Sequence, residues 1–155
     1  MNVNKVFCTK IKEFCTKYLT GLEKCGKNTS EDEYMTLKEK KYFGKIHRCR
    51  FIIKRLDGLG INRKYLGYYY VVDILDIMIN DDMEIKSFSR QIYPQIASKY
   101  GKTECTVERN IRSLIDKTWG INVSNLLGDF SPSEEKPTCQ KFLYAVKNYI
   151  IQDIA

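Results

Sequence analysis

The amino-acid sequence predicts an all-α fold with an N-terminal helical arm. Apolar residues recur every three or four positions along most of the chain, and the alternation typical of β-strands is nowhere sustained. Of the 155 residues, 43% are apolar and 29% are charged, and only three are prolines. A chain of this size and composition can form one domain with its own core plus a short arm, and its composition differs from that of disordered or collagen-like proteins.

Neither a membrane span nor an export signal is predicted. The longest uncharged apolar stretch, residues 65–72, has eight residues, whereas a membrane span needs roughly 20. No apolar segment follows the first four residues. We therefore expect a cytoplasmic protein.

The cysteines and the single histidine, His47, indicate no metal site. No two cysteines form a C-x-x-C pair, and a structural zinc site needs four closely paired nitrogen and sulfur ligands. We expect idle or buried thiols, no disulfide framework and no cofactor. The six cysteines are Cys8, Cys15, Cys25, Cys49, Cys105 and Cys139.

Residues 1–44 form the predicted N-terminal extension, and residues 45–155 form the predicted domain. A helix over residues 4–24 would carry one apolar stripe. Three roles are open for it: packing on its own domain, self-association into a homodimer, or lying as a basic helix on a membrane surface. The stripe consists of Phe7, Ile11, Phe14, Tyr18 and Leu22.

Three helices are predicted between residues 30 and 79. Ser30 and Glu33 have the spacing of a capping box, which starts a helix that runs towards Gly44. A second helix covers residues 45–56. Asn62 can cap a third over residues 63–79, whose long apolar run predicts a central, mostly buried helix.

The acidic residues of the central helix do not indicate an enzyme. Asp73 and Asp76 share a helix face, but no histidine, metal motif or further carboxylate converges with them in the sequence. We interpret them as surface acids. No phosphate-binding glycine loop or nucleophile elbow is present, so no catalytic residue is assigned.

The remaining segments predict a helix–turn–helix followed by two further helices. Residues 88–100 form an apolar series with Pro94 in a first turn or at a kink. Gly101–Thr103 makes a short turn, and Thr103 can cap a helix that runs to about Thr118. A short piece over residues 123–127 and a helix over residues 138–154 complete the domain.

The second helix of this pair has a polar face suited to the major groove of double-stranded DNA. Planar arginine and asparagine side chains match the paired donors and acceptors on base edges. Short helix pairs with glycine turns also occur in other proteins, and Glu108 and Arg112 have the spacing of an ordinary surface ion pair. The predicted solvent face comprises Thr106, Arg109, Asn110, Ser113 and Lys117, with Glu108 and Arg112 at its edges.

Positive charge is concentrated where a polyanion would bind. The net charge of the chain is +7, of which +6 belongs to residues 1–50 and +4 to residues 86–117, whereas the other two regions are slightly negative. Such clustering is typical of nucleic-acid binding, although lysine-rich solubility surfaces look similar. The predicted phosphate contacts are Lys86, Arg90, Lys99 and Lys102.

From about Arg50 onwards the chain resembles the DNA-binding effector domain of the sporulation-initiation response regulator of endospore-forming bacteria. The order and spacing of the matching strings hold across two-thirds of the chain. They are Ile92-Tyr93-Pro94-x-Ile96-Ala97-x-Lys99, Val107-Glu108-Arg109-x-Ile111-Arg112, Trp119, and Lys136-Pro137-Thr138 with Phe142.

The resemblance implies an all-α bundle of about six helices that controls transcription by binding short DNA boxes and contacting the RNA polymerase sigma subunit. It assigns base reading to Glu108, Arg109 and Arg112, and it places Lys99 and Thr103 near the phosphates. The competing hypothesis is a protein-interaction module that antagonises the full-length regulator or contacts the sigma subunit.

The chain departs from the family pattern at the reading helix and upstream of the domain. Cys105-Thr106 stands where the family has serine and arginine, and Ser113 replaces a histidine. We therefore expect an altered or relaxed target box, because losing a base contact costs roughly 1–3 kcal/mol of discrimination. Residues 1–49 are too few for a phospho-acceptor receiver domain, so control by phosphorylation of this segment is not expected.

Overall fold

A computed structural model of the chain describes residues 37–81, 85–128 and 135–152. The chain divides into two units after Arg50. Among the described residues every regular element is a helix, which confirms the all-α prediction. The helices are α1 (Leu37–Gly58), α2 (Leu66–Asn80), α3 (Phe88–Gln91), α4 (Tyr93–Tyr100), α5 (Glu104–Thr118), α6 (Ile121–Leu127) and α7 (Cys139–Gln152).

Three predictions about the first half of the chain have different outcomes. The helix over residues 4–24 and the capping box at Ser30 lie outside the described residues. The predicted break near Gly44 is wrong, because α1 continues through it as one helix of 22 residues. A glycine within a helix costs only about 1 kcal/mol relative to alanine, and flanking helix formers outweigh that cost.

Helix α2 is the centre of the second unit, as predicted. Residues 67–76 are all buried, and Met78 is buried one turn later. The predicted cap at Asn62 is wrong, because its Oδ1 accepts from the Lys64 amide at 2.9 Å in a turn that precedes the helix. The helix begins at Leu66, after Tyr65, whose side chain makes no capping hydrogen bond.

The interpretation of Asp73 and Asp76 as surface acids is also wrong. The two side chains are only 4% and 5% exposed. Buried carboxylates persist when partners satisfy them, and Asp73 has such partners in Lys99 and Tyr100, which lie 26 and 27 residues further along the chain.

The core of the second unit combines α2 with the end of α1 and with one face each of α4, α5 and α7. Its largest fully buried side chains are aromatic and aliphatic, and they come from all of these helices. No described helix is both long enough and apolar enough to cross a bilayer. The principal members are Leu56, Tyr68, Tyr70, Leu75, Ile96, Ile111, Leu114, Phe142 and Leu143.

Two neighbouring tyrosines of α2 differ in how their hydroxyls are satisfied. The Tyr68 hydroxyl donates to Asp57 Oδ1 at 2.9 Å. The Tyr70 ring packs edge-on against Tyr100 at 4.8 Å between centroids, but its buried hydroxyl has no hydrogen-bond partner among the described residues. Burial raises the pKa of Tyr70 to about 12.

We expect Tyr70→Phe to leave the protein as stable at pH 7, or more stable, because the substitution removes an unsatisfied buried hydroxyl. The matched substitution Tyr68→Phe removes a bond to a carboxylate and should cost about 1.5 kcal/mol. A tyrosine whose pKa is higher when folded stabilises the protein fully below its unfolded pKa, near 10, and loses that contribution as pH rises towards 12. The advantage of Tyr70→Phe should therefore grow between pH 10 and 12 in urea unfolding, and a marked loss of stability at pH 7 would contradict this account.

Candidate nucleic-acid interface

Helices α4 and α5 and the turn between them, called the helix–turn–helix pair here, form as the sequence predicts. Gly101 has φ 61° and ends α4 in the left-handed conformation. Its amide and that of Lys102 bond to the carbonyls of Ser98 and Ala97, at 3.3 and 2.9 Å, which satisfies the open end of α4. Thr103 then caps α5 by accepting from the Thr106 amide at 3.3 Å.

Pro94 lies in the first turn of α4, which is where proline is tolerated best. The residues predicted as one apolar series therefore form two helices, α3 and α4, with Ile92 between them. Tyr93, Ile96 and Ala97 are the buried residues of α4. They place α4 against α5 and leave Lys99 and Ser98 on the outside.

Helix α5 is fixed to the domain by one apolar face. Val107, Ile111, Leu114 and Ile115 are all buried, as predicted. Helix α2 approaches α5 closely at Gly67: a Cβ atom there would lie 2.4 Å from the Asn110 carbonyl oxygen. This glycine allows the two backbones to touch, and it sets how α5 sits on the core.

The exposed face of α5 is rotated relative to the predicted one. Thr106, Asn110 and Ser113 are half-buried at its margins. The Asn110 side chain donates to the Thr106 carbonyl at 2.7 Å, so its amide is already engaged within the helix. The most exposed stripe runs opposite the buried face and consists of Cys105, Arg109, Arg112 and Asp116.

Both arginines of interest point to solvent. Arg109 is exposed and makes no ion pair with any described side chain. Arg112 has 67% of its side chain exposed and pairs with Glu108 at 2.6 Å one turn earlier. Neither guanidinium is buried in the domain, and the ion pair with Glu108 stays within the helix and lies on its surface.

Helix α5 is also contacted by Lys136, which precedes α7, and by Cys139, the first residue of α7. Lys136 pairs with Asp116 at 2.9 Å, and the Cys139 thiol lies 3.9 Å from the Glu108 carbonyl. Burial raises the pKa of Cys139, so this thiol is held in its neutral form as a small packing group. The segment from residue 136 to 139 therefore contacts α5 at Glu108 and at Asp116, on either side of Arg112.

The predicted phosphate contacts surround the helix–turn–helix pair but are not equivalent. Lys86, Arg90, Lys102 and Thr103 are exposed. Thr103 is also the cap of α5, and its hydroxyl lies 2.8 Å from that of Thr106. Lys99 differs from the others because its Nζ is bonded to the buried Asp73.

Two features of this surface were not predicted from the sequence: the exposed thiol of Cys105 and the face formed by residues 105, 109, 112 and 116. Cys105 is exposed beside Arg109 and carries a free thiol, whereas Cys49 and Cys139 are buried. The spacing of 105, 109, 112 and 116 opposite the apolar residues 107, 111 and 114 is the signal that could have found this face. No group of three or more potential metal ligands occurs among residues 37–81, 85–128 and 135–152.

The geometry agrees with a comparison against known protein families. Residues 52–150, nearly two-thirds of the chain, match the family described as sporulation initiation factor Spo0A C terminal. Members of this family are DNA-binding regulatory domains rather than enzymes. The match covers the end of α1, all of α2 to α6 and most of α7, including the whole helix–turn–helix pair. This chain belongs to the family of Spo0A C-terminal domains.

Proposed function

We propose that this protein is a sequence-specific transcriptional regulator that acts on cytoplasmic double-stranded DNA without a receiver domain in residues 1–49. The exposed stripe of α5 enters the major groove, and α4 crosses the phosphate backbone beside it. The observation that carries this proposal is the exposure of Arg109 and Arg112 on the face of α5 opposite its buried side.

The base-reading roles follow from the chemistry of the groups on this stripe. A guanidinium can donate two parallel hydrogen bonds to O6 and N7 of a guanine, and a carboxylate can accept from the amino group of a cytosine. The guanidinium of Arg109 makes no ion pair with a described side chain, whereas Glu108 holds Arg112 in one orientation before binding. Thr106 and Ser113 flank the stripe and contribute hydroxyls at the margins of the contact.

The phosphate-contacting roles belong to residues that position the protein without reading sequence. Lys86, Arg90 and Lys102 are exposed cations around α3 and the turn, and the Thr103 hydroxyl lies at the start of α5. Self-association through residues 1–44 and contact with the sigma subunit are further proposals that rest on the sequence and the resemblance alone.

A selection from random duplexes with the full chain tests this function. We expect enrichment of a short box that differs from the family box, because Cys105-Thr106 and Ser113 replace side chains of the family pattern. Affinity for the box should fall steeply with salt as counterions are displaced from the phosphates. Return of the unmodified family box would contradict the altered specificity, and binding without enrichment of any sequence would contradict sequence-specific reading.

A further inference from the structure

A buried carboxylate on the central helix binds the last turn of α4. Asp73, on α2, is 4% exposed, and both of its oxygens lie 2.7 Å from Lys99 Nζ. The Tyr100 hydroxyl donates to Asp73 Oδ2 at 2.6 Å. Two consecutive residues at the end of α4, directly before the Gly101 turn, are therefore held by one side chain of the core.

This arrangement decides the electrostatic role of Lys99. The Lys99 side chain remains 43% exposed, so its exposure alone indicates a phosphate contact. Its charge is compensated by Asp73, however, and separating the two would leave a carboxylate buried without a counter-ion, which is strongly unfavourable. The pair therefore presents little net charge to an approaching duplex.

We infer that Asp73 is a positioning residue that withholds Lys99 from the DNA phosphates and so lowers the sequence-independent affinity of the domain. The inference rests on the proposed function, and it excludes Lys99, which the sequence predicts as a phosphate contact, from that role. Lys102, three residues later, is exposed and has no ion pair among the described residues, which makes it the matched unrestrained lysine.

The test is the salt dependence of binding to a duplex of random sequence, measured with the full chain and three variants. Each phosphate neutralised by a cation contributes a slope of about −0.9 to the logarithm of affinity against the logarithm of salt concentration. The double variant Asp73→Asn/Lys99→Met removes both charges of the pair and should keep the wild-type slope. Asp73→Asn alone frees the lysine and should steepen the slope by about 0.9, while Lys102→Met should make it shallower by about 0.9.

The double variant decides the inference even if Asp73→Asn alone does not fold, because it leaves no buried charge without a partner. Circular dichroism at the assay temperature checks that each variant is folded. If the salt dependence of the double variant is shallower than that of the wild type by about 0.9, as expected for Lys102→Met, Lys99 is an ordinary phosphate contact and the inference is wrong. A wild-type protein with no salt-dependent DNA binding would instead overturn the proposed function, and the inference with it.

Discussion

Replacing Arg109 and Arg112 together by alanine is expected to abolish sequence-specific binding while leaving the domain folded. Both residues are exposed on α5, with 67% of the Arg112 side chain accessible to solvent. Each bidentate contact to a base contributes about 1–3 kcal/mol, so the pair accounts for about 2–6 kcal/mol, or at least about 30-fold in affinity for the selected box. Fluorescence anisotropy titrations against the selected box and a scrambled duplex measure the affinity for the box and the preference for it over other sequences.

A control with the same charge change separates base reading from overall charge. Lys54 and Lys141 are exposed residues of α1 and α7 and lie outside the helix–turn–helix pair. The variant Lys54→Ala/Lys141→Ala also loses two positive charges, but it should keep its preference for the selected box over the scrambled duplex. Equal losses in the two double variants would mean that the arginines act through net charge alone.

Replacing Gly67 by alanine is expected to produce the largest loss of stability from a single small substitution. The added Cβ would lie 2.4 Å from the Asn110 carbonyl oxygen and 2.9 Å from its carbon, and both are backbone atoms that cannot rotate away. Overpacking costs about 1–3 kcal/mol, and occasionally more. Because the clash is with backbone atoms, we take the upper end of this range, about 3 kcal/mol. The gain in helix propensity offsets about 1 kcal/mol, which leaves an expected net loss of about 2 kcal/mol, measured by urea unfolding.

The same substitution should weaken DNA binding, because relief of the clash moves α5 away from α2. Gly58 provides the matched control: it is also helical, and a Cβ atom there would meet nothing within 4 Å. Gly58→Ala should therefore be neutral or slightly stabilising and should bind the selected box like the wild type. A Gly67→Ala protein as stable as the wild type would show that α2 and α5 are not in backbone contact.

The sequence predicts best the features that depend on neighbours along the chain. The spacing of Val107, Ile111 and Leu114 reveals the buried face of α5, and the turn chemistry of Gly101 and Thr103 reveals its start. These features follow from helical periodicity and local backbone hydrogen bonds, which are properties of short segments.

Features that depend on distant partners could not be read in this way. The burial of Asp73 depends on Lys99 and Tyr100, and the role of Gly67 depends on the backbone of Asn110. A glycine at close backbone approach and a glycine in open space look identical in a single sequence. The predicted exposed face of α5 was inaccurate at its edges, where Asn110 and Ser113 are half-buried rather than fully exposed. This difference also depends on contacts with other parts of the chain.

The most direct test of the account is whether α5 reads guanines from the major groove. Substituting 7-deazaguanine for guanine in the selected box removes the N7 acceptor in that groove and leaves the phosphates and the minor groove unchanged. The account predicts a loss of affinity of about 5-fold or more at guanines contacted by Arg109 or Arg112, and no further loss in the double arginine variant. Equal affinity of the wild-type protein for the substituted and unsubstituted boxes would contradict it.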